Sequence, residues 1–182
     1  MTLEELKEKI AKSHKDYKTL DKKLSKFDDF RYLAGGVGVY AISADINKIE
    51  NEKILECVEE NSTQKNVIYI GSVTKANIFK RCKQDINGGT ATFFRKIGSV
   101  FGYKSTSQNT PEIEKNFKFE KDDKKKIKKW NHTNLRLKIF DTDSSNEEAL
   151  IRYFKPPFNE VYNSDYTCGE INDLRDRNKG LG

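Results

Sequence analysis

The apolar positions of this chain fall into two patterns, helical stripes and short strand-like runs. Leu3, Leu6, Ile10, Tyr17, Leu20, Leu24 and Phe27 recur at spacings of three, four or seven. That is the period of one helix face and predicts a helix over residues 2–28. Thr2 ahead of Glu4 and Glu5 suits its start, where acids complement the helix dipole. Its lysine-rich opposite face is open to two readings, a solvated exterior or a contact with a nucleic-acid groove or a second copy. After a Gly35-Gly36 break, residues 38–43 and 66–71 read as short buried strands, β-branched and aromatic, each with one tyrosine. Alternation sends successive side chains to opposite faces, placing Tyr40 with Ile42 and Tyr69 with Val67. Antiparallel pairing of the two strands would bring both phenols to one sheet surface.

Between these strands, residues 49–60 read as a short helix or an insertion, with an apolar stripe of Ile54, Leu55 and Val58 and acids unsuited to DNA. Beyond the second strand, Asn77 is placed to cap a helix in which Ile78, Phe79 and Cys82 pack inward. A further helix is expected over residues 90–103, with Phe93, Phe94, Ile97, Val100 and Phe101 inward and Arg95 and Lys96 pointing elsewhere. Residues 104–130 read as the least globular part. Dense lysine is interleaved there with Phe117, Phe119 and Trp130, which fits either phosphate contact with base stacking or a solvated linker. Residues 134–140 alternate cleanly, Leu135, Leu137 and Ile139 against Arg136 and Lys138, and predict a third strand. A helix from Glu147 to Phe154 follows and ends before Pro156, which disfavours helix in the preceding residue. The expected fold class is α/β of the α+β type: a small sheet of three antiparallel strands, 37–43, 67–72 and 134–140, flanked by helices, with insertions. The expected organisation is a helical extension at 1–34, one domain at 35–163 and a tail at 164–182.

Composition narrows the function classes. The 182 residues are enough for one domain with its own core, and they are 35% hydrophobic against 34% charged. No run approaches the roughly 20 apolar residues of a membrane span, so no membrane partner is expected. The acids and lysines of residues 1–12 do not form a secretory signal. The three cysteines, Cys57, Cys82 and Cys168, have neither zinc spacing nor a disulfide pattern, which points to a reducing cytoplasm. A net charge of +6 favours a polyanionic partner, although lysine-rich composition alone produces many basic proteins.

One acid stands out. Leu150, Ile151 and Phe154 lie three, four and seven residues after Glu147, which puts Glu147 on the inward face, while Glu148 lies about 100° round and faces solvent. An inward carboxylate is costly without a partner or a metal. Ser144 with Glu147 could instead form a capping box, as could Ser145 with Glu148, which would leave Glu147 available.

These residues, in this order, resemble the signature of the GIY-YIG nuclease family. Gly38-Val39-Tyr40 matches its first half and Tyr69-Ile70-Gly71 its second. Asn77-Ile78-Phe79-Lys80-Arg81 matches its helical arginine, and Glu147-x-x-Leu150-Ile151, Pro156 and Asn159 match its closing motif. The closing motif is most similar to the nuclease domain of the bacterial excision-repair incision subunit. The resemblance covers about residues 36–160. It implies a DNA endonuclease with one Mg²⁺ or Mn²⁺ held by Glu147. Tyr40 would be general base or water-positioning group, Tyr69 would hold the phosphate or orient Tyr40, and Arg81 would clamp the scissile phosphate. Asn159 would support the site, and the products would carry a 5′-phosphate and a 3′-hydroxyl. DNA contacts are expected from Lys80, Lys83 and Arg95, and from Lys124, Lys125, Lys126, Lys128 and Lys129. A restriction-type or mobile-element role fits, and a dimer is open. The alternatives are a catalytically weak nucleic-acid-binding module on the same fold, or an RNA or single-strand nuclease. The chain departs from the family at Ser72 and Val73, where many members carry a lysine, and at Asp85, where several carry a histidine or tyrosine. His14 and His132 match no catalytic position, leaving Lys75, Lys80 or Lys83 to supply the missing cation.

Overall fold

The computed structural model describes residues 1–11, 36–64, 66–75, 77–88, 91–106, 117–163 and 168–178. The expected helix beyond residue 11 and residues 107–116 of the basic stretch lie outside the described residues.

Three antiparallel strands form the sheet, in the order β2-β1-β3: β1 is Gly38–Ser43, β2 Val67–Val73 and β3 Arg136–Phe140. β1 takes the centre because all six of its residues are buried and need cover on both faces. Its alternation feeds two cores. Tyr40 and Ile42 face one core with Ile68, under α2 (Glu52–Asn61), α3 (Ile78–Asn87), α4 (Thr92–Val100), α5 (Lys121–Asn134) and α7 (Gly169–Asn178). Val39 and Ala41 face the other with Ile70 and Phe140, under α1 (Leu3–Ala11) and α6 (Asn146–Phe154). The expected three-stranded antiparallel sheet flanked by helices is therefore the observed fold.

A β-bulge at Ile68 changes one expectation. Ile42 pairs with Tyr69, but the next residue, Ser43, pairs with Val67. The extra residue breaks strict alternation. Val67 turns to the α1/α6 core, while Tyr69 joins Tyr40 in the other. The two rings lie 6.2 Å apart.

Both motif glycines are explained by close approach. A Cβ on Gly71, the cross-strand partner of Tyr40, would overlap the Tyr40 ring and hydroxyl. One on Gly38 would meet the Phe140 carbonyl oxygen of β3.

Several local expectations are corrected. The stretch expected as a linker or a stacking surface holds α5, and its aromatics belong to the core. Phe117 and Phe119 are 1% exposed, meet edge-to-face at 5.4 Å and pack on Phe94, and Trp130 lies 4.7 Å from Phe101. Helix α5 runs to Asn134, so the third strand starts at Arg136. Arg95, expected to reach outward, is 8% exposed beside Phe117, because α4 is covered on most sides. Neither capping box forms on α6. Instead Asp143 Oδ1 accepts from the Ser145 amide at 2.9 Å, and Glu148 pairs with Arg152. The capping box that does form is on α1, where Thr2 and Glu5 bond each other's amides at 3.2 and 2.8 Å. Finally, the stretch expected as a tail contains α7, which packs on α4 and buries Ile171 with Cys168 in the larger core.

Candidate active site

The second strand motif ends at Tyr69-Ile70-Gly71, and its neighbours converge from three directions. Helix α3 starts at Asn77, whose Oδ1 caps the Lys80 amide at 2.8 Å from a left-handed backbone (φ 54°). Burial of Ile78 and Cys82 then turns Arg81 toward the sheet. Helix α6 buries Leu150, Ile151 and Phe154, and the same face carries Glu147. Ser72, the residue after Gly71, donates its Oγ to Glu147 Oε2 at 2.6 Å. Asn159 closes the arrangement as a two-way clip: it accepts from the Ile70 amide and donates to the Ile70 carbonyl, both at 2.8 Å.

The result is an open cleft of about 440 Å³ with Tyr69, Arg81, Glu147 and Asn159 in its wall. Of the five expected catalytic residues, four line this one space. Tyr40 does not. It is fully buried beneath them, and its hydroxyl donates to Asp85 Oδ2.

Asp85, read from the sequence only as a departure from the family pattern, lies at the base of this arrangement. It is 0% exposed, receives the Tyr40 hydroxyl and lies 3.5 Å from Arg81 Nε, one turn away on α3. Its Oδ1 has no hydrogen-bond partner among the described residues. The signal was present as an acid four residues after Arg81, but i,i+4 pairs on helices are usually surface features. Only tertiary structure shows this one to be internal.

The electrostatics follow from burial. Desolvation, with Glu147 adding to it, raises the Asp85 carboxyl above the ordinary range against the pull of Arg81 and the Tyr40 hydrogen bond. Burial likewise pushes the Tyr40 and Tyr69 phenols up, and the Asp85 charge pushes both further, so neither stands as phenolate. Burial opposes the Arg81 charge, but Asp85 beside it more than compensates and keeps the guanidinium firmly charged.

A second set of charges sits further along the cleft. Lys96 is buried on α4. Its Nζ donates to the Phe158 carbonyl at 3.1 Å and lies 3.6 Å from Glu160, and desolvation lowers it to about 8. Arg175 of α7 holds Glu160 through two bonds, at 2.5 and 3.1 Å. Neither cation was singled out as a site residue from sequence, since both come from elements outside the motifs.

The remaining expected contacts are elsewhere. Lys80 and Lys83 are exposed on α3, and Lys80 borders a shallower groove of about 370 Å³ with Ser72, Lys75 and Arg81. Lys124, Lys125, Lys126, Lys128 and Lys129 stand on α5 and none lines the cleft. His132 bonds Asn87 at 2.7 Å, a structural position.

A protein-family model described as the GIY-YIG catalytic domain matches residues 38–177, well over half the chain. The chain belongs to the GIY-YIG family. No match was found among curated proteins or solved structures. Family membership makes this a nuclease domain acting on nucleic acid, and the matched range takes in α7 up to its last residue but one, as well as the motifs. No helix among the described residues is long and apolar enough to cross a membrane.

The GIY-YIG cleft suits a hard divalent cation. Among the described residues there is no cluster of three or more acids, histidines or cysteines of the kind a fully protein-ligated metal requires. Of the two carboxylates in the cleft, Glu160 is held by Arg175, which leaves Glu147, and one carboxylate is enough for Mg²⁺ because it keeps several of its waters.

Proposed function

We infer that this GIY-YIG domain is a metal-dependent DNA endonuclease that hydrolyses a phosphodiester bond to a 5′-phosphate and a 3′-hydroxyl. The observation carrying this reading is the convergence of Tyr69, Arg81 and Glu147, from β2, α3 and α6, on one cleft. Binding alone would not require an inward acid beside an arginine.

Glu147, steadied by Ser72, would hold Mg²⁺ or Mn²⁺, which supplies positive charge to the phosphate and the leaving oxygen. Arg81 presents a permanently charged planar fork to two phosphate oxygens and stabilises the charge that grows on them. Tyr69 faces the cleft and orients the attacking water by hydrogen bonding. The water oxygen bonds to phosphorus as the bond to the 3′-oxygen breaks. The water's surplus proton passes to solvent, and the 3′-oxygen takes a proton from solvent. The geometry favours a supporting role for Tyr40: its hydroxyl is committed to Asp85, and Asp85 in turn braces Arg81. Asn159 ties the loop after α6 to β2, and so fixes the cleft wall.

Incubation of supercoiled plasmid with Mg²⁺ tests the reading. The parent protein should nick or linearise the plasmid and leave 5′-phosphates, and Glu147→Gln should abolish cleavage while retaining DNA binding. Glu148→Gln is the control, losing only an exposed pair with Arg152 worth at most about 0.5 kcal/mol. Equal cleavage by Glu147→Gln and the parent would reject the metal assignment. Binding without any cleavage by the parent would reassign the domain as a binding module.

A further inference from the structure

The cleft continues past Arg81 and Glu147 to a rim made by Glu160, Val161 and Tyr162. The chain on both sides of this rim is fastened. Asn159 is clipped to Ile70, and the buried Asn163 donates to the Pro156 and Asn159 carbonyls at 3.1 and 3.4 Å. Between these two buried asparagines, the chain turns outward and presents large side chains to water: Val161 is 67% exposed and Tyr162 41%. Tyr162 has φ 63°, in the left-handed region. Glycine or asparagine takes that conformation readily, whereas a bulky aromatic there is uncommon and strained. Strain of this kind persists where the surroundings over-determine it, and it clusters at functional sites. Among the described residues, Tyr162 has no hydrogen bond and no ring contact.

The surroundings suit a nucleotide. Glu160, the acid nearest the ring in sequence, is tied to Arg175 and Lys96, which offsets its repulsion of phosphate. Arg81 lies in the wall of the same cleft. A strand with its scissile phosphate at Arg81 would carry its neighbouring sugar and base along the cleft toward the rim. An aromatic face there can accept any base, because every base has a π-face.

We propose that Tyr162 is a stacking platform for an unstacked nucleobase next to the scissile phosphate, with Val161 packing on its edge. This rests on the nuclease reading of the cleft and deepens it. The preferred substrate carries an unpaired base at the cut, in a single strand, flap or gap, because a base inside a duplex is not free to stack on protein. The ligand is an unpaired nucleobase with its phosphates, and base identity is not read.

The test is a binding measurement in EDTA, so that no cleavage occurs. The probes are two short fluorescein-labelled single strands, one of thymidines and one with the same backbone and abasic residues throughout. Tyr162→Asn, which suits the left-handed backbone, should weaken binding to the thymidine strand roughly tenfold or more and leave the abasic strand unaffected. Tyr162→Phe should bind both strands as the parent does, since stacking does not use the hydroxyl. An equal loss on both strands, or no loss on the thymidine strand, overturns the proposal. So does a Tyr162→Asn protein that melts well below the parent, which would make the ring a structural element. A parent with the expected binding pattern that cuts neither plasmid nor the thymidine strand once Mg²⁺ is supplied would refute the nuclease reading and leave the platform standing as a binding site.

Discussion

Asp85 holds its carboxylate where water does not reach, and its position implies a conflict between stability and activity. Burial raises its pKa above the unfolded value of 3.8, so ionising it in the folded protein costs free energy. Below that unfolded value both states hold the proton and the cost is absent. As pH rises through the higher folded value the native state must release its proton, and above it the cost is complete. An asparagine can still accept the Tyr40 hydrogen bond but carries no charge. The stability of Asp85→Asn relative to the parent should therefore improve as pH rises from 3.8 toward neutrality, as read from denaturant midpoints. Cleavage should fall in the same variant, because Arg81 loses the carboxylate beside its Nε. A stability difference that does not change with pH would show that Asp85 does not titrate in that window.

At the scale of elements, α5 shows how one segment can serve the core and the surface together. Ile127 and Asn131 are buried along one side, and the Asn131 amide donates to the Ile86 carbonyl at 2.8 Å. Lys125, Lys126, Lys128 and Lys129 are exposed, and Lys124 is half-buried. Two of the five pair with acids on the preceding turn, Lys125 with Asp122 and Lys126 with Asp123. Exposed pairs of this kind contribute about 0–1 kcal/mol and can be given up to phosphate. Replacing all five lysines by glutamine should weaken DNA binding to a similar degree for unrelated sequences and reduce its dependence on salt, because phosphate contacts position without specifying. Titrations of parent and variant over a range of salt concentrations measure this. Identical salt slopes would remove α5 from the DNA footprint. The fold should tolerate the change, since Ile127 and Trp130 remain.

At the scale of the molecule, the sheet is a divider between two cores, and the cleft depends on both. Glu147 stands on a helix of the α1/α6 side, while Tyr69, Arg81 and Lys96 belong to the other. Helix α7 links this architecture to the rim, because it buries Ile171 in the larger core and supplies Arg175 to Glu160. Ile171→Ala should destabilise the protein by about 2–5 kcal/mol, the usual range for a buried isoleucine truncated to alanine. A thermal or denaturant melt of parent and variant reads the loss. A change under about 0.5 kcal/mol would mean that α7 is an appendage, as its mixed-charge sequence suggests.

The motifs themselves determined a good deal. Two tyrosine strands, a capped helix with Arg81, the third strand and the inward face of α6 were readable because each is a local periodicity that burial then enforces. The tyrosines were expected to share a surface, and they do, although the shared face of Tyr69 and Val67 was lost to a bulge that no spacing announces. Tertiary structure alone decided what lay between the motifs. Phe117 and Phe119 read as surface aromatics among lysines because their covering partners, Phe94 and Ile127, are distant or ambiguous in sequence. Arg95 and Lys96 became internal because neighbouring elements cover sides of α4 that a single-helix pattern assigns to solvent. Tyr40 and Asp85, 45 residues apart, meet only because β1 and α3 pack together. The division has one physical cause: periodicity reports which side of an element is apolar, whereas the partner that covers a polar side is set by packing among segments far apart in the chain.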